Sequence, residues 1–490
     1  MRITNKIIQN NSLTNINTNK TLEDKLSTMI STEKKISRPS DDPIVALRSL
    51  RLRTSVNQTD QYLNKNVEDA NSWLTVTEDA IDTLSDILTD IRKQYVKGSS
   101  DSLTSSDRKI ILEDLQTLAA EVYNTGNVDF AGRSVFTGYR TSSALTFQKE
   151  EVVNYTITED ESTATLDTTL FVKADGATEQ DVYSADITRI RLSYDALSTT
   201  KPETDADGNV TTVDATPTVT INGTEYSGSA ITTISTSGTD NPYEYVHDNS
   251  DAIVFVPETG EILIGSDYGD TDSITSFSVT YSKEEWDSGD LRPEHYFDCT
   301  DNTNNIVYSS HGGEIEYNVG VNQSLRINTT ADECFNHSIV RDLDDIMNAL
   351  KEVQNIEDTI TKLTSELNAL PESDTAGREA KQAEIDAAEK AQTYLNEKLH
   401  NLFETGITKA DDYLNANSVA LTNCGTRSKR LELIQNRLET QLTTLEELKS
   451  DNEDADLAET AIKLSSAQYA YDAALMATSK ILQENLLNYI

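Results

Sequence analysis

The sequence predicts an α+β protein: a coiled-coil-like helical domain formed by both termini, with an inserted β-rich outer domain. Three observations carry this expectation. Apolar residues recur at spacings of three and four near both ends of the 490-residue chain, as one stripe of a helix requires. Between Phe147 and Phe335 the period changes to two, the pattern of half-buried strands. Turn residues punctuate that middle section.

On the amino side, Val67, Ala70, Leu74, Thr77, Ile81, Leu84, Leu88, Ile91 and Tyr95 form one seam. Gly98-Ser99-Ser100 breaks it, Thr104 to Asp107 fits a capping arrangement, and Ile111, Leu115, Leu118 and Val122 resume the spacing in a helix expected to fold back. The carboxyl side repeats the pattern with Leu431, Ile434, Leu438, Leu442, Leu445 and Leu448. A polar interruption follows at Ser450 to Asp456, where Ser450 and Glu453 fit a capping box. The last helix then carries Leu457, Ala461, Leu464, Tyr471, Leu475 and Leu482, with Leu486, Leu487 and Ile490 extending the apolar face. Each fully buried Leu or Ile stabilises by about 1.5–3 kcal/mol, whereas an isolated amphipathic helix is marginal. These stripes need partners, in the same chain or in neighbouring ones.

In the middle, Thr218-Val219-Thr220-Ile221, Asn222-Gly223 and Thr224-Glu225-Tyr226 read as a tight hairpin. Ala252 to Val256 and Glu261 to Gly265, joined across Pro257-Glu258-Thr259-Gly260, read as another. Alternating runs also occur at Val152 to Thr158, Ser276 to Tyr281, Glu314 to Val319 and Ser324 to Asn328. Val340 to Leu370 and Ala376 to Phe403, across Pro371 to Thr375, suggest a helical hairpin leading back to the bundle.

Charge narrows the function classes. A formal net charge of −42 repels phosphate backbones and anionic lipid surfaces, so nucleic acid and membrane are not expected partners. No run of about 18 apolar residues is present to span a bilayer, and no cleavable secretory signal is visible after Met1-Arg2-Ile3. Cys299, Cys334 and Cys424 stand far apart, without a disulfide framework or zinc spacing. Asp205-Ala206-Asp207-Gly208-Asn209 and Asp267 to Asp272 cluster oxygens but lack the Gly and Glu positions of an EF-hand loop, and read as turns. His247, His295, His311, His337 and His400 form no H-E-x-x-H pair, and no Walker, dinucleotide or nucleophile-elbow string occurs. No enzyme activity, cofactor or metal is expected. By signals alone the chain reads as cytoplasmic.

Ordered motifs at both ends change that reading. Met1-Arg2-Ile3-Thr4-Asn5, Lys34-Lys35-Ile36-Ser37-Arg38-Pro39-Ser40-Asp41-Asp42-Pro43, Gln61-Tyr62 and Ser72-Trp73-Leu74 open the series. Asp107-Arg108, Asn127, Gly132-Arg133-Ser134-Val135-Phe136-Thr137-Gly138 and Glu314-Ile315-Glu316-Tyr317-Asn318-Val319-Gly320 continue it, and Glu453-Asp454-Ala455-Asp456 and Leu486-Leu487-Asn488-Tyr489-Ile490 close it. Together they resemble the filament-side hook-associated proteins of the flagellin superfamily. The Arg38-to-Pro43 string and Trp73 favour a junction protein over flagellin.

The resemblance implies a structural subunit that forms a ring-like layer with itself, between the hook-side junction protein and flagellin. It also implies an export chaperone as a transient partner and an extracellular, flagellar location reached without a cleavable signal. Residues 1–40 are then expected to be a polymerisation segment, disordered until assembly, which accords with the Asn- and Thr-rich composition of the first twenty residues. Residues 41–146 form the amino-terminal half of the helical core, 147–336 the β-rich insertion, 337–405 the helical hairpin region, and 406–490 the carboxyl-terminal half and polymerisation helix. Candidate subunit-interface residues are Ile3, Ile7, Arg38, Pro39, Asp41, Asp42, Trp73, Leu464, Tyr471, Leu475, Leu482 and Leu486. From the residues alone, Asp42 is expected to cap a helix beginning at Pro43, with Asp41 near its positive end, and packing is the first explanation for Trp73 and Tyr471. The rival readings are flagellin itself and a surface-exposed module whose β region binds glycan or protein.

Overall fold

A computed structural model describes the chain apart from residues 1–4, 101–102, 175, 205–209, 239, 310–312 and 488–490. The helices are α1 Asn5–Thr32, α2 Pro43–Gln61, α3 Glu68–Gly98, α4 Ser105–Thr125, α5 Pro242–Asp248, α6 Ala331–Cys334, α7 Ser338–Ala369, α8 Thr375–Glu453 and α9 Leu457–Leu487. A π-helical segment, Tyr62–Val67, joins α2 to α3. Two units emerge: residues 1–70, 317–325 and 429–490 make one, and residues 71–316 and 326–428 the other. The architecture is α+β, with helical ends and a β-rich middle.

In the second unit the seam of α3 is buried along its length, Leu74, Thr77, Ile81, Leu84, Leu88, Ile91 and Tyr95 included. α4 starts with a capping box, Thr104 and Asp107 each receiving the other's backbone N–H. Its buried face is Leu112, Leu115, Ala119 and Val122, while Ile111 and Leu118 lie half-buried beside it. α7 buries Ile339, Leu343, Ile346, Leu350 and Val353 at alternating spacings of four and three.

No element ends at residue 405. α8 runs unbroken from Thr375 to Glu453, so the expected border between hairpin and carboxyl-terminal core falls inside one helix. Its buried seam passes through Leu395, Leu399, Phe403, Ala410, Asn417, Ala420 and Cys424. Small residues there admit close neighbours: a Cβ on Gly406 would lie 2.8 Å from the Tyr95 ring. Asn417 donates to Ile81 O at 3.0 Å and Ser85 Oγ at 2.6 Å, a polar seam contact that fixes the register of α8 against α3.

The β-rich middle holds two larger sheets. One orders Ile306–Tyr308, Asp298–Asp301, Glu151–Asp160, Phe277–Trp286, Thr218–Ile221 and Thr224–Tyr226, all antiparallel. The expected hairpin closes it, with Asn222 and Gly223 at φ 48° and 80°, the left-handed pair that a type I′ turn requires. The other sheet orders Thr232–Thr233, Ile253–Val256, Glu261–Ile264, Tyr183–Arg191 and Thr165–Lys173. Ile253–Val256 and Glu261–Ile264 pair as the second expected hairpin, but both are buried on both faces. α5 covers this sheet around Phe171, Ile187, Val246, Val254, Val256 and Leu263.

Ion pairs tie this second sheet to α7. Arg189 reaches Asp167 at 2.7 Å and Asp345 at 2.8 Å and also pairs with Glu261; Arg191 reaches Asp342 at 2.7 Å and Asp345 at 2.8 Å. Asp342 further receives Lys409 Nζ at 2.7 Å and Tyr413 OH at 2.5 Å. Burial pushes the Asp345 carboxyl up, but the two guanidinium groups pull harder and hold it well below the usual carboxylate range. Charges this deep persist only when paired and hydrogen-bonded.

Candidate functional site

The chain ends meet in the first unit, where α1 packs against α9. α1 accommodates its Thr-rich composition by turning hydroxyls inward along its own backbone: Thr14, Thr18, Thr21 and Thr28 donate to carbonyls four residues earlier at 2.8–2.9 Å. Its inward positions Ile8, Ser12, Ile16, Asn19, Glu23, Leu26 and Ile30 are half-buried, only Leu26 being fully so. On α9 the inward positions are Thr460, Leu464, Ala467, Tyr471, Ala474 and Thr478, a heptad rhythm shifted from the expected one. Leu457, Ala461 and Leu475 are exposed instead.

A joint holds this pair to the next elements. The stretch from Glu33 to Asp42 meets the break between α8 and α9: Lys35 N donates to Glu453 O at 2.7 Å and Ala455 N to Glu33 O at 2.9 Å. Lys34 Nζ pairs with Asp454, and Lys35 Nζ donates to Asp451 O. Glu453 is 3% exposed; its carboxylate accepts Ser49 Oγ and both arms of the Arg53 fork at 2.7 Å. These hydrogen bonds, from Arg53 and Ser49, hold the Glu453 carboxyl below its ordinary value, and Lys34 does the same for Asp454.

The expected capping box at Ser450 and Glu453 does not form. Ser450 Oγ donates to Asp454 at 2.6 Å, α8 continues through Glu453, and Asp456 caps α9 by accepting Glu459 N at 3.0 Å. The spacing fitted, but Arg53 and Ser49 claim the Glu453 carboxylate. Upstream, Asp42 caps α2 by accepting Ile44 N at 3.0 Å and Val45 N at 3.1 Å. Asp41 accepts Arg38 N at 3.0 Å and Ser37 N at 3.2 Å, which lowers its carboxyl.

The candidate interface residues are thus scattered in their exposure. Ile7, Arg38, Pro39, Asp41 and Leu475 are exposed, Asp42 is half-buried at its cap, and Leu464 and Tyr471 face α1. Trp73 is a correction: at 1% exposure it is enclosed in the second unit, edge-on to Phe130 at 6.0 Å with the Arg133 guanidinium 5.0 Å from its ring centre. It has no surface to offer a neighbour. Ile3 and the side chains of Leu482 and Leu486 lie outside the described residues.

The first unit leaves several large apolar side chains open among its polar ones. Ile7, Leu13 and Leu22 on α1, Ile44, Leu47 and Leu50 on α2, and Leu457, Ile462, Tyr469 and Met476 on α9 are all exposed. On α9, Ile462, Tyr469 and Met476 recur every seven residues and so share one exposed stripe of the helix.

Sequence comparison accords with this geometry at both ends. The bacterial flagellin N-terminal helical region matches residues 3–141, and the bacterial flagellin C-terminal helical region matches residues 407–490. Both ends of the chain are thus similar to the helical regions of flagellins. Relatives of the chain include flagellar hook-associated protein 3 of Salmonella typhimurium, 27% identical over 145 residues, which are 29% of this chain and 45% of that protein. The Escherichia coli protein of the same name is 29% identical over 121 residues, 24% and 38% of the two chains. A flagellin of Clostridium tyrobutyricum is 28% identical over 127 residues, 26% of this chain and 33% of its own. The chain therefore spans less than half the length of each. A solved structure of a putative flagellar hook-associated protein from Vibrio parahaemolyticus aligns over 84% of this chain and 100% of its own, at 13% identity and a TM-score of 0.37.

One polar cluster elsewhere brings a serine, a carboxylate and an imidazole together. Ser193 Oγ lies 2.8 Å from Glu159 and 3.0 Å from His337 Nδ1. The carboxylate faces the serine instead of the imidazole, with Ser193 and Glu159 buried and His337 half-buried, an arrangement that differs from a catalytic triad, in which the carboxylate orients the imidazole. Among the described residues no group of three His, Cys, Asp or Glu is placed to hold a metal ion, and no helix is long and apolar enough to cross a membrane. Cys299, Cys334 and Cys424 are free and buried, and burial drives the His295 and His337 imidazoles down to about 4.

Proposed function

We propose that this chain is a structural junction subunit of the bacterial flagellum, linking the hook, through the hook-side junction protein, to the flagellin filament. The open apolar faces of α1, α2 and α9 around a paired pair of chain ends carry the reading. A subunit that worked alone would bury them; one that stacks in many copies buries them against neighbours. The two relatives named flagellar hook-associated protein 3 support the junction over other flagellar roles.

On this reading the chain assembles into a ring-like layer with itself, is exported to the extracellular flagellum without a cleavable signal, and is escorted by an export chaperone before assembly. Its work is mechanical, with no catalysis. Ile7, Arg38, Pro39, Asp41 and Leu475, with Leu482 and Leu486, belong to the subunit contacts; Asp42, Leu464 and Tyr471 shape the helices that make them. The relative named flagellin keeps a second reading open, a filament subunit. Deleting the gene and viewing the cells separates them. Hooks that remain while filament protein is shed into the medium support the junction; normal filaments overturn it, and purified chain that polymerises into long filaments points to flagellin.

A further inference from the structure

Resting on the proposal that copies of this chain pack together, we infer which faces meet: a basic, apolar face of α2 in one copy docks on the acidic, apolar end of α8 in the next. The chain carries a net charge of −42, yet residues 34–53 hold six Lys and Arg against two Asp. Lys34 and Arg53 are engaged at the Glu453 joint. Arg48 and Arg51 are exposed, and among the described residues neither meets a carboxylate at ion-pair distance.

Geometry puts them beside apolar surface. Leu47, Leu50, Arg51 and Thr54 sit at i, i+3, i+4 and i+7 and share the face of α2 opposite its buried Ser49, Val56 and Thr59. Ile44, 74% exposed, extends this face to the first turn.

The complementary surface is on the same unit. Residues 439–456 carry seven Asp and Glu against the single Lys449. Leu433, Thr440, Thr444, Glu447 and Asp451 fall on one exposed face of α8, with Leu448 next to Glu447; Leu433 is 63% and Leu448 50% exposed.

Within one copy these faces do not meet. α2 and α8 turn their inner sides to each other, since Ser49 and Arg53 donate to Glu453 and Asn452 Nδ2 donates to Val45 O at 3.1 Å. The exposed basic and acidic faces therefore point away from each other. A second copy supplies both complements, and because the two faces differ, the contact is heterologous and propagates around a ring or helix instead of closing as a dimer. The leucines at its centre supply buried apolar area, while the flanking charges set register and speed encounter.

The test uses full-length chain with Leu47→Cys and Leu448→Cys, made in cells lacking the native copy; the three native cysteines are buried. Isolated flagella are oxidised and run on a non-reducing gel. A ladder of multimers from the pair, absent from either single variant, is expected. Incorporated chain that yields no ladder overturns the inference and leaves the junction reading intact, whereas unmodified chain missing from isolated flagella overturns both. A second arm covers cysteine variants that fail to incorporate. Arg48→Glu with Arg51→Glu is expected to cut filament-bearing hooks by about tenfold or more, and adding Glu447→Lys with Asp451→Lys to restore them. Charge reversal without effect overturns the inference.

Discussion

Arg53 and Glu453, 400 residues apart in sequence, are joined by two hydrogen bonds of 2.7 Å. The fork closes a joint between α2 and the end of α8, and through Lys34 and Ala455 it also fixes where α1 and α9 leave. Removing the carboxylate leaves Ser49, Lys34 and Arg53 without their shared acceptor. Glu453→Ala is expected to weaken the first unit by about 1–3 kcal/mol. Amide exchange under mild denaturant checks this: protection should fall across residues 43–60 and 440–453 and hold across 71–98. Equal loss in both regions would contradict it.

The same joint has a pH signature. The folded-state values of Glu453 and Asp454 lie below their ordinary 4.5 and 3.8, so their contribution is complete above those values and is lost as pH falls through the lowered ones. Acidification below about pH 4 should therefore open the α1–α9 end before the second unit unfolds. Exchange rates at Lys34 to Ile36 measured across a pH series read this directly.

Asp344 behaves in the opposite sense. It lies 3.0 Å from Arg341, yet burial raises its carboxyl from 3.8 to about 6. With the folded value above the unfolded one, the stability it contributes is complete below 3.8 and is lost as pH rises through about 6. Asp344→Asn is expected to gain about 1–3 kcal/mol at pH 7 and to flatten the stability profile between pH 4 and 6. His295 and His337, held near 4, contribute stability that is complete above 6.5 and lost as pH falls; comparing variant with parent in thermal melts isolates Asp344 from them.

Asp342 gathers Arg191, Lys409 and Tyr413. Truncating it leaves a buried guanidinium with one carboxylate partner, Asp345, already shared with Arg189. Asp342→Ala should cost about 3–5 kcal/mol in urea unfolding of the second unit. A loss below about 1 kcal/mol would mean that the network is spare.

Among the described side chains of α1 only Leu26 is fully buried, and its inward row includes Ser12, Asn19 and Glu23. Such a helix is marginal alone, so its order is expected to come from neighbouring copies. Amide exchange should be fast across residues 5–32 in the monomer and slow in assembled flagella. Strong protection in the monomer would contradict this.

Local signals were readable where a single face decided the outcome. The α3 seam from Leu74 to Tyr95, the Thr104–Asp107 capping box, the Asp42 cap and the Asn222-Gly223 hairpin all follow from short spacings that the folded chain obeys. α8 escaped as one helix because its seam at Gly406, Ala410, Asn417, Ala420 and Cys424 is small or polar, and it packs by closeness more than by bulk. The Glu453 joint and the Arg189–Arg191 network pair residues far apart in sequence, which no local period reveals. On α9, large residues such as Leu457 and Leu475 suggested an inward face; size marks burial only once all partners are present.

The direct test of the central claim is to delete residues 5–32 and 457–487 and ask where the shortened chain goes. Labelled protein should fold through its second unit but fail to appear at the hook–filament boundary by immunogold microscopy, with filaments detached. Truncated chain that still occupies that boundary and retains filaments would contradict the claim that the paired ends build the junction.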